Sequence, residues 1–327
     1  MSPRVVIAGG YGLVGGLVAR HLRAAGHELD LVLTGRNPGR GASLAAELGA
    51  RTARLDVADP AAAMAELGPV DLVVATLQDP GDNLLAAALT AGAAHIGIVR
   101  TADSMGSSAV TAVNLARAPA LMLGHWQAGV LTLAALAAAR KLASVQRVEM
   151  AALYDYADPI GPMTASDSGG FVGRALVRQS GAWINLEAAA NPRRIEREGL
   201  EPFDALPMGV LDTPALASMT GAAEVRFDLG TGTSIGTAGG GPASHDLYID
   251  IAGRDASGRE RVQRTMVSDP NGQAHLTALG VMTGVERLLG LDGAPPPPAG
   301  LRFPETTLDP EQALARLQAF GVRVETL

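Results

Sequence analysis

Cysteine is absent from the 327 residues, which excludes disulfides, thiolate metal sites and cysteine nucleophiles, although it does not by itself decide the compartment. Lysine is almost absent as well. Lys141 is the single lysine, at the charged end of an apolar helical stretch, so any step that needs an amine side chain has one position to use, and a solvated surface role is the ordinary one there. A basic field is also missing: the formal net charge is −7 and the isoelectric point lies near 5.4, which argues against nucleic acid and anionic membrane as partners. The alanine-rich run 128–139 is too short to span a bilayer. The first strand follows directly on Ser2-Pro3-Arg4 and leaves no room for a signal peptide. These absences point to a soluble cytoplasmic protein that handles small molecules. The length suggests two domains, or one domain with a large insertion.

What is present is organised around Val5-Val6-Ile7-Ala8-Gly9-Gly10-Tyr11-Gly12-Leu13-Val14-Gly15, an apolar strand that enters a glycine-rich turn and then a helix. Gly10, Gly12 and Gly15 match GxGxxG, in which the glycines permit a tight turn, close approach of backbone to a pyrophosphate, and tight helix–sheet packing. Gly9, Gly12 and Gly15 fit a looser GxxGxxG equally well, so both spacings stay open. The apolar stripe Leu13, Leu17, Val18 and Leu22 predicts the helix whose first amides face the phosphates.

Residues 28–33 read as a second buried strand. Beyond it, where NAD-binding units carry an acidic residue for the ribose hydroxyls, stand Thr34-Gly35-Arg36-Asn37-Pro38-Gly39-Arg40. A guanidinium suits a 2′-phosphate and a carboxylate would repel it, so Arg36, with Arg40 as a second charge, points to NADP; the bland alternative is a solvated loop arginine. Asp56, after a strand at 51–55, either borders the adenine or caps the helix that begins near Pro60. The apolar run 70–76 is a buried parallel strand, and Thr76, Leu77 and Gln78 at its carboxyl end are expected to line the nicotinamide side. Helix 83–91, strand 95–99, helix 107–116 and strand 120–123 complete six strand–helix alternations, the doubly wound pattern of a Rossmann α/β domain.

The periodicity changes at Gly124-His125-Trp126-Gln127-Ala128-Gly129. A helix at 130–141 leads to a long strand at 145–153. Residues 246–252 alternate as a half-exposed strand and pair through a turn at 255–258 with 261–267, an antiparallel hairpin. A helix at 273–289, a stiff proline connector at 295–298, a helix at 310–320 and a last strand at 322–325 follow. Residues 230–242, rich in glycine, serine and threonine, read as a mobile loop over a substrate cleft. Arg174 and Arg178 read as one turn apart on a helix, suited either to a substrate carboxylate or to solvent. The fold expected is therefore α/β: a dinucleotide-binding domain at 1–129, a substrate and dimerisation domain at 130–290 with a mixed, largely antiparallel sheet, and a segment 291–327 that returns to the first domain. The exposed alternation around the hairpin suggests a homodimer.

Three stretches resemble the saccharopine dehydrogenase-like oxidoreductases: the glycine turn with Thr34-Gly35-Arg36 and Leu55-Asp56-Val57; the junction Gly124 to Gly129; and Asp269-Pro270-Asn271-Gly272-Gln273-Ala274 with Pro298-Ala299-Gly300-Leu301-Arg302-Phe303-Pro304-Glu305. The resemblance implies a two-domain NAD(P) oxidoreductase whose second domain is often used for dimerisation. The family often has a proline before the junction glycine, where this chain has Ala128. No set of arginines can be assigned to the several carboxylates of saccharopine, so a smaller or less charged substrate is expected.

Hydride transfer needs a positioned carbon and, for a carbonyl, a proton donor. The tyrosine four residues before a lysine that short-chain reductases use is absent, since Ala137 precedes Lys141. His125 at the junction is the positional candidate for that role, against a hydrogen-bonded junction histidine; Tyr154 and Tyr156, at a strand end, are candidates to orient substrate, against simple packing. His95, His245 and His275 have no metal-binding spacing. Two classes of function remain: an NADP-dependent reductase acting on a C=N or C=O carbon, or an enone, of a small molecule, and a non-catalytic NADP(H) sensor.

Overall fold

The computed structural model describes residues 2–98, 105–161 and 173–327. The chain divides into two units, residues 1–124 with 277–308 and residues 125–276 with 309–327.

The first unit carries a seven-stranded parallel sheet in the order β15-β6-β5-β4-β1-β2-β3. Its strands are β1 (Arg4–Ala8), β2 (Asp30–Gly35), β3 (Arg51–Arg54), β4 (Leu72–Ala75), β5 (Ala94–Gly97), β6 (Pro119–Met122) and β15 (Gly300–Arg302). Helices α1 (Leu13–Ala24), α2 (Ala42–Leu48), α3 (Pro60–Leu67), α4 (Asn83–Thr90) and α5 (Met105–Leu115) connect them. The sequence of the central strands explains their place. Val6, Ala8, Val73 and Ala75 share one core with Leu84 and Ala88 of α4, while the alternate residues Val5, Ile7, Leu72 and Val74 are buried to the same extent; strands apolar on both faces need helices on both sides. The strand order reverses between β1 and β4, which puts the topological switch point at the carboxyl end of β1, where the glycine turn lies. The helix Gln273–Leu288 packs on this sheet through Gly284, where a β-carbon would sit 3.1 Å from both Leu121 and Leu123.

The second unit holds a nine-stranded mixed sheet in the order β10-β11-β12-β7-β13-β14-β16, with β8 and β9 attached through β12. These are β7 (Ser144–Tyr154), β8 (Arg174–Gln179), β9 (Ala182–Glu187), β10 (Arg193–Arg197), β11 (Leu200–Pro207), β12 (Glu224–Thr231), β13 (His245–Arg254), β14 (Glu260–Asp269) and β16 (Arg323–Thr326). β12 and β7 are parallel and the other pairs antiparallel. All ten residues of α6 (Val130–Ala139) are buried, as an all-apolar helix must be, and Lys141 lies exposed just beyond it.

Four expectations are corrected. The segment 291–327 does not return as a whole to the first unit: β15 joins β6, but β16 pairs antiparallel with β14, satisfying an edge strand that would otherwise expose its amides, and Arg140 pairs with Asp309 at 3.1 Å. Arg174 and Arg178 lie on a strand, because Ala175 and Val177 alternate inward and Ser180-Gly181 turns the chain with positive φ. The hairpin consumes both guanidinia, with Arg174 on Glu187 at 3.2 Å and Arg178 over the Trp183 ring. The hairpin of β13 and β14 is present, yet its polar positions Asp246 and Tyr248 are buried with the apolar ones, so the alternation marks a polar interior and not a solvated face. Residues 230–242 are not a free loop: Gly230 and Thr231 extend β12, and Ser234 caps the short helix Ile235–Ala238 by accepting the Thr237 N–H.

Candidate functional site

In the first unit, the glycine turn is set by close approach more than by spacing. Gly9 adopts φ +80°, the left-handed region that disfavours side chains. A β-carbon on Gly10 would lie 2.7 Å from the Ile7 carbonyl oxygen and 2.9 Å from Leu33 Cα, and one on Gly15 would lie 2.7 Å from Thr76 Oγ1. Gly9, Gly10 and Gly15 are therefore all required, and the two spacings read in the sequence describe one turn. Gly12 has extended backbone, caps α1 without a side chain, and is followed by no acidic residue in the first turn. The amides entering at Leu13 and Val14 thus begin a helix whose N-terminal field is uncompensated, the arrangement that receives a phosphate.

Thr76 Oγ1 donates to the Ala8 carbonyl at 2.8 Å and abuts Gly9 and Gly15. Its hydroxyl ties β4 to the turn. Leu77 packs against the core and Gln78 is exposed. Past β2, Arg36 and Arg40 are exposed, and neither makes an ion pair among the described residues. Tyr11 reaches across to this loop and accepts the Asn37 N–H at 3.1 Å. Asp56 accepts the Ala58 N–H at 3.1 Å. The residue in the cap position of α3 is Asp59, so Asp56 does not cap that helix.

The second unit concentrates its polar groups around the carboxyl ends of β7 and β14. Tyr154 donates to the Asp158 carbonyl at 3.3 Å, and its ring meets Tyr156 edge-on at 5.4 Å. Burial raises the Tyr154 phenol above its ordinary value, with the Asp158 charge adding. Tyr156 is exposed, at 78%. Burial alone would raise Asp155, but donors outweigh it: Ser234 N–H at 2.9 Å, Ala157 N–H at 3.0 Å and Thr237 Oγ1 at 2.7 Å hold the carboxylate at about 2. Asp158 goes the other way. Burial, then the charges of Asp269, Asp155 and Asp246, push it up to about 6 against one hydrogen bond, from the Gln273 N–H at 2.8 Å. Asp246 accepts Ser244 Oγ, Ser268 Oγ and the Ile235 N–H, and Asp269 meets His275 Nδ1 at 2.7 Å.

His125 is buried and heads a separate turn. Gln127 (φ 52°), Ala128 (φ 53°) and Gly129 (φ 94°) are consecutive left-handed residues, a conformation that costs a non-glycine residue about 1 kcal/mol or more. The surroundings hold it there. Asp212 accepts the Trp126 N–H at 2.7 Å and Thr132 Oγ1 at 2.6 Å. The Trp126 ring lies 4.8 Å from Phe227, and His245 Nε2 meets Gln127 Nε2 at 2.9 Å. Burial drops His245 to about 3, so its ring is neutral. The structure thus joins Tyr154 to Tyr156 and sets His125 in a different turn.

Asp212, Asp246 and the Asp269–His275 pair were not legible as site residues. Asp246 alternates as a surface residue would, and nothing in the sequence pairs Asp212 with residue 126. Among the described residues no group of three or more His, Asp or Glu is arranged to hold a metal ion, and no helix is long and apolar enough to cross a membrane.

No family model matches the chain, and no curated protein matches it by sequence. Solved structures do. Saccharopine dehydrogenase (L-Glu forming) from Saccharomyces cerevisiae aligns over 100% of both chains with a TM-score of 0.73 at 12% identity. An oxidoreductase from Agrobacterium radiobacter, solved with NAD+, L-tartaric acid and magnesium, aligns over 100% of this chain and 98% of its own with a TM-score of 0.51 at 13% identity. GenD2 from gentamicin A biosynthesis, solved with NAD, aligns over 100% of this chain and 96% of its own with a TM-score of 0.50 at 16% identity. The chain has the fold of the saccharopine dehydrogenase-like oxidoreductases, a doubly wound parallel sheet with a second, mixed one.

Proposed function

We propose that the protein is an NADP-dependent oxidoreductase that transfers hydride reversibly between NADPH and a small-molecule C=N carbon, with C=O as the close alternative. The observation that carries the cofactor choice is the end of β2, where Arg36 and Arg40 are exposed and without ion pairs among the described residues, in a loop that contains no carboxylate. The turn also suits a dinucleotide, since Gly10 and Gly15, whose β-carbons would collide with Ile7, Leu33, Gly9 and Thr76, let α1 pack close against the strands with its first amides beside the carboxyl end of β1. Two solved structures of this fold hold NAD, which supports a nicotinamide cofactor; the arginines support the phosphorylated form.

NADPH, when bound, supplies the hydride. The chain's own part is to bind and orient. The α1 amides hold the pyrophosphate and Arg36 and Arg40 the 2′-phosphate. Tyr154 and Tyr156 orient substrate, and His125 sets the protonation state of the reacting nitrogen. A protonated imine is already electrophilic and needs less acid assistance than a ketone, in keeping with a sequence that has no tyrosine–lysine pair.

Titration of the wild type and of Arg36→Asp with NADPH and NADH tests the cofactor. A preference for NADPH that the variant inverts is expected, and equal affinity in the wild type overturns the assignment. A panel of imines, ketones and enones followed by NADPH oxidation tests the chemistry. No turnover across that panel, with tight NADPH binding retained, replaces the reductase by a redox sensor.

A further inference from the structure

We infer that Tyr11 is itself a ligand of the 2′-phosphate and sets the choice between NADPH and NADH, an inference that rests on the NADP reading above. Tyr11 belongs to the glycine turn by sequence, but its side chain leaves that turn and lies on the loop after β2. Two glycines make room for it. A β-carbon on Gly35 would collide with the Tyr11 hydroxyl, and one on Gly41 would stand 2.6 Å from Cδ1 and 3.2 Å from Cγ. Gly35 and Gly41 both have negative φ, so neither is a glycine for reasons of backbone conformation. Both positions are kept clear by the ring.

The hydroxyl has one partner among the described residues, the Asn37 N–H at 3.1 Å, and in that bond the phenolic oxygen accepts. Its own hydrogen therefore remains to be donated. Asn37 follows Arg36 directly and precedes Arg40 by three residues, so a neutral donor is placed in the same short loop as two guanidinia. A phosphate dianion offers charged acceptors alone and is the group that such a set of donors matches, whereas the 2′-hydroxyl of NADH is uncharged, accepts only an ordinary neutral hydrogen bond that water also supplies, and gains less. The phenol adds recognition without adding charge, and the ring, wedged between two glycines, holds the loop in place before the cofactor arrives.

The test is equilibrium titration of the full chain with NADPH and with NADH for wild type, Tyr11→Phe, Gly41→Ala and the double variant. Tyr11→Phe keeps the ring and removes the donor. A hydrogen bond to a charged group corresponds to roughly a tenfold or larger change in affinity, so the NADPH Kd is expected to rise at least about tenfold and the NADH Kd to stay within about twofold, which also reports that the fold is intact. Gly41→Ala displaces the ring and should weaken NADPH likewise, and in the Tyr11→Phe background it should add little. A wild-type preference for NADPH that survives Tyr11→Phe overturns the inference and leaves the NADP reading standing. Equal loss of NADPH and NADH overturns it too, since the ring would then act on the turn and not on the phosphate. A wild type without preference removes the NADP reading, and the inference with it.

Discussion

Replacing Asp158 by asparagine should stabilise the protein, and only above mildly acidic pH. Its carboxyl is buried, receives one backbone hydrogen bond, from the Gln273 N–H, and feels the charges of Asp269, Asp155 and Asp246. These move it from the ordinary 3.8 to about 6. A raised carboxyl keeps its proton in the folded protein after the unfolded chain has lost it, so stability falls as pH rises from about 4 to about 6, and the full loss is present above that. Two pKa units correspond to about 3 kcal/mol. Asparagine has the same shape, can accept the Gln273 N–H through its carbonyl, and carries no charge. Any fixed cost of accommodating its amide group, about 1 kcal/mol, is the same at every pH and cancels when two pH values are compared. The stability difference between variant and wild type should therefore grow by about 2–3 kcal/mol between pH 4 and pH 8. For a unit of this size that is roughly a 5–10 °C relative gain in melting temperature. Thermal melts followed by circular dichroism at both pH values measure it. An offset that does not change with pH, or a variant that loses ground toward pH 8, refutes the electrostatic account of the cluster.

The neighbouring carboxylate should behave in the opposite sense. Asp155 is held at about 2 by its donors, so its contribution is present above pH 4 and lost as pH falls toward 2; Asp155→Asn should cost about 2 kcal/mol more at pH 7 than near pH 2, read from urea midpoints at each pH. His125→Ala should lower turnover with NADPH affinity nearly unchanged, and a fall in affinity at constant turnover would make His125 a wall of the cofactor site.

The first unit was largely legible because its signals are local. A run such as Val5 to Ala8, apolar, rich in β-branched residues and cut short by glycines, reads as a strand covered on both sides where the longer, alanine-rich α6 reads as a buried helix, and glycine, arginine and asparagine at the ends of β1 and β2 mark the loops by residue type. The second unit was legible in its strands and less so in their surroundings. Asp246 and Tyr248 follow the alternation of a solvated strand, yet Ser244, Ser268 and the Ile235 amide satisfy the aspartate inside. Partners that distant leave no mark on periodicity. Arg174 and Arg178, four apart, suit a helix face and one side of a strand equally, and what decides is the Ser180-Gly181 turn with its positive φ, followed by β9. The junction glycine was legible, whereas the left-handed Gln127 and Ala128 were not. Neither residue type prefers that conformation, and it is imposed by Asp212 and Trp126 from outside.

The interleaving of the two units bears on the order in which they can be completed. The edge of β6 waits for residues 300–302, which emerge only after the whole of β7 to β14, and the edge of β14 waits for residues 323–326, which emerge later still. During synthesis each sheet therefore exposes an unpaired edge for the time taken to translate the other's share of the chain. Such edges are templates for unwanted pairing, and closing them requires contacts between segments far apart in sequence, which is slow. The topology makes closure of both sheets depend on residues 300–326, so that loss of the β16 strand would leave the edge of β14 open both in newly made chains, where it invites aggregation, and in the finished protein.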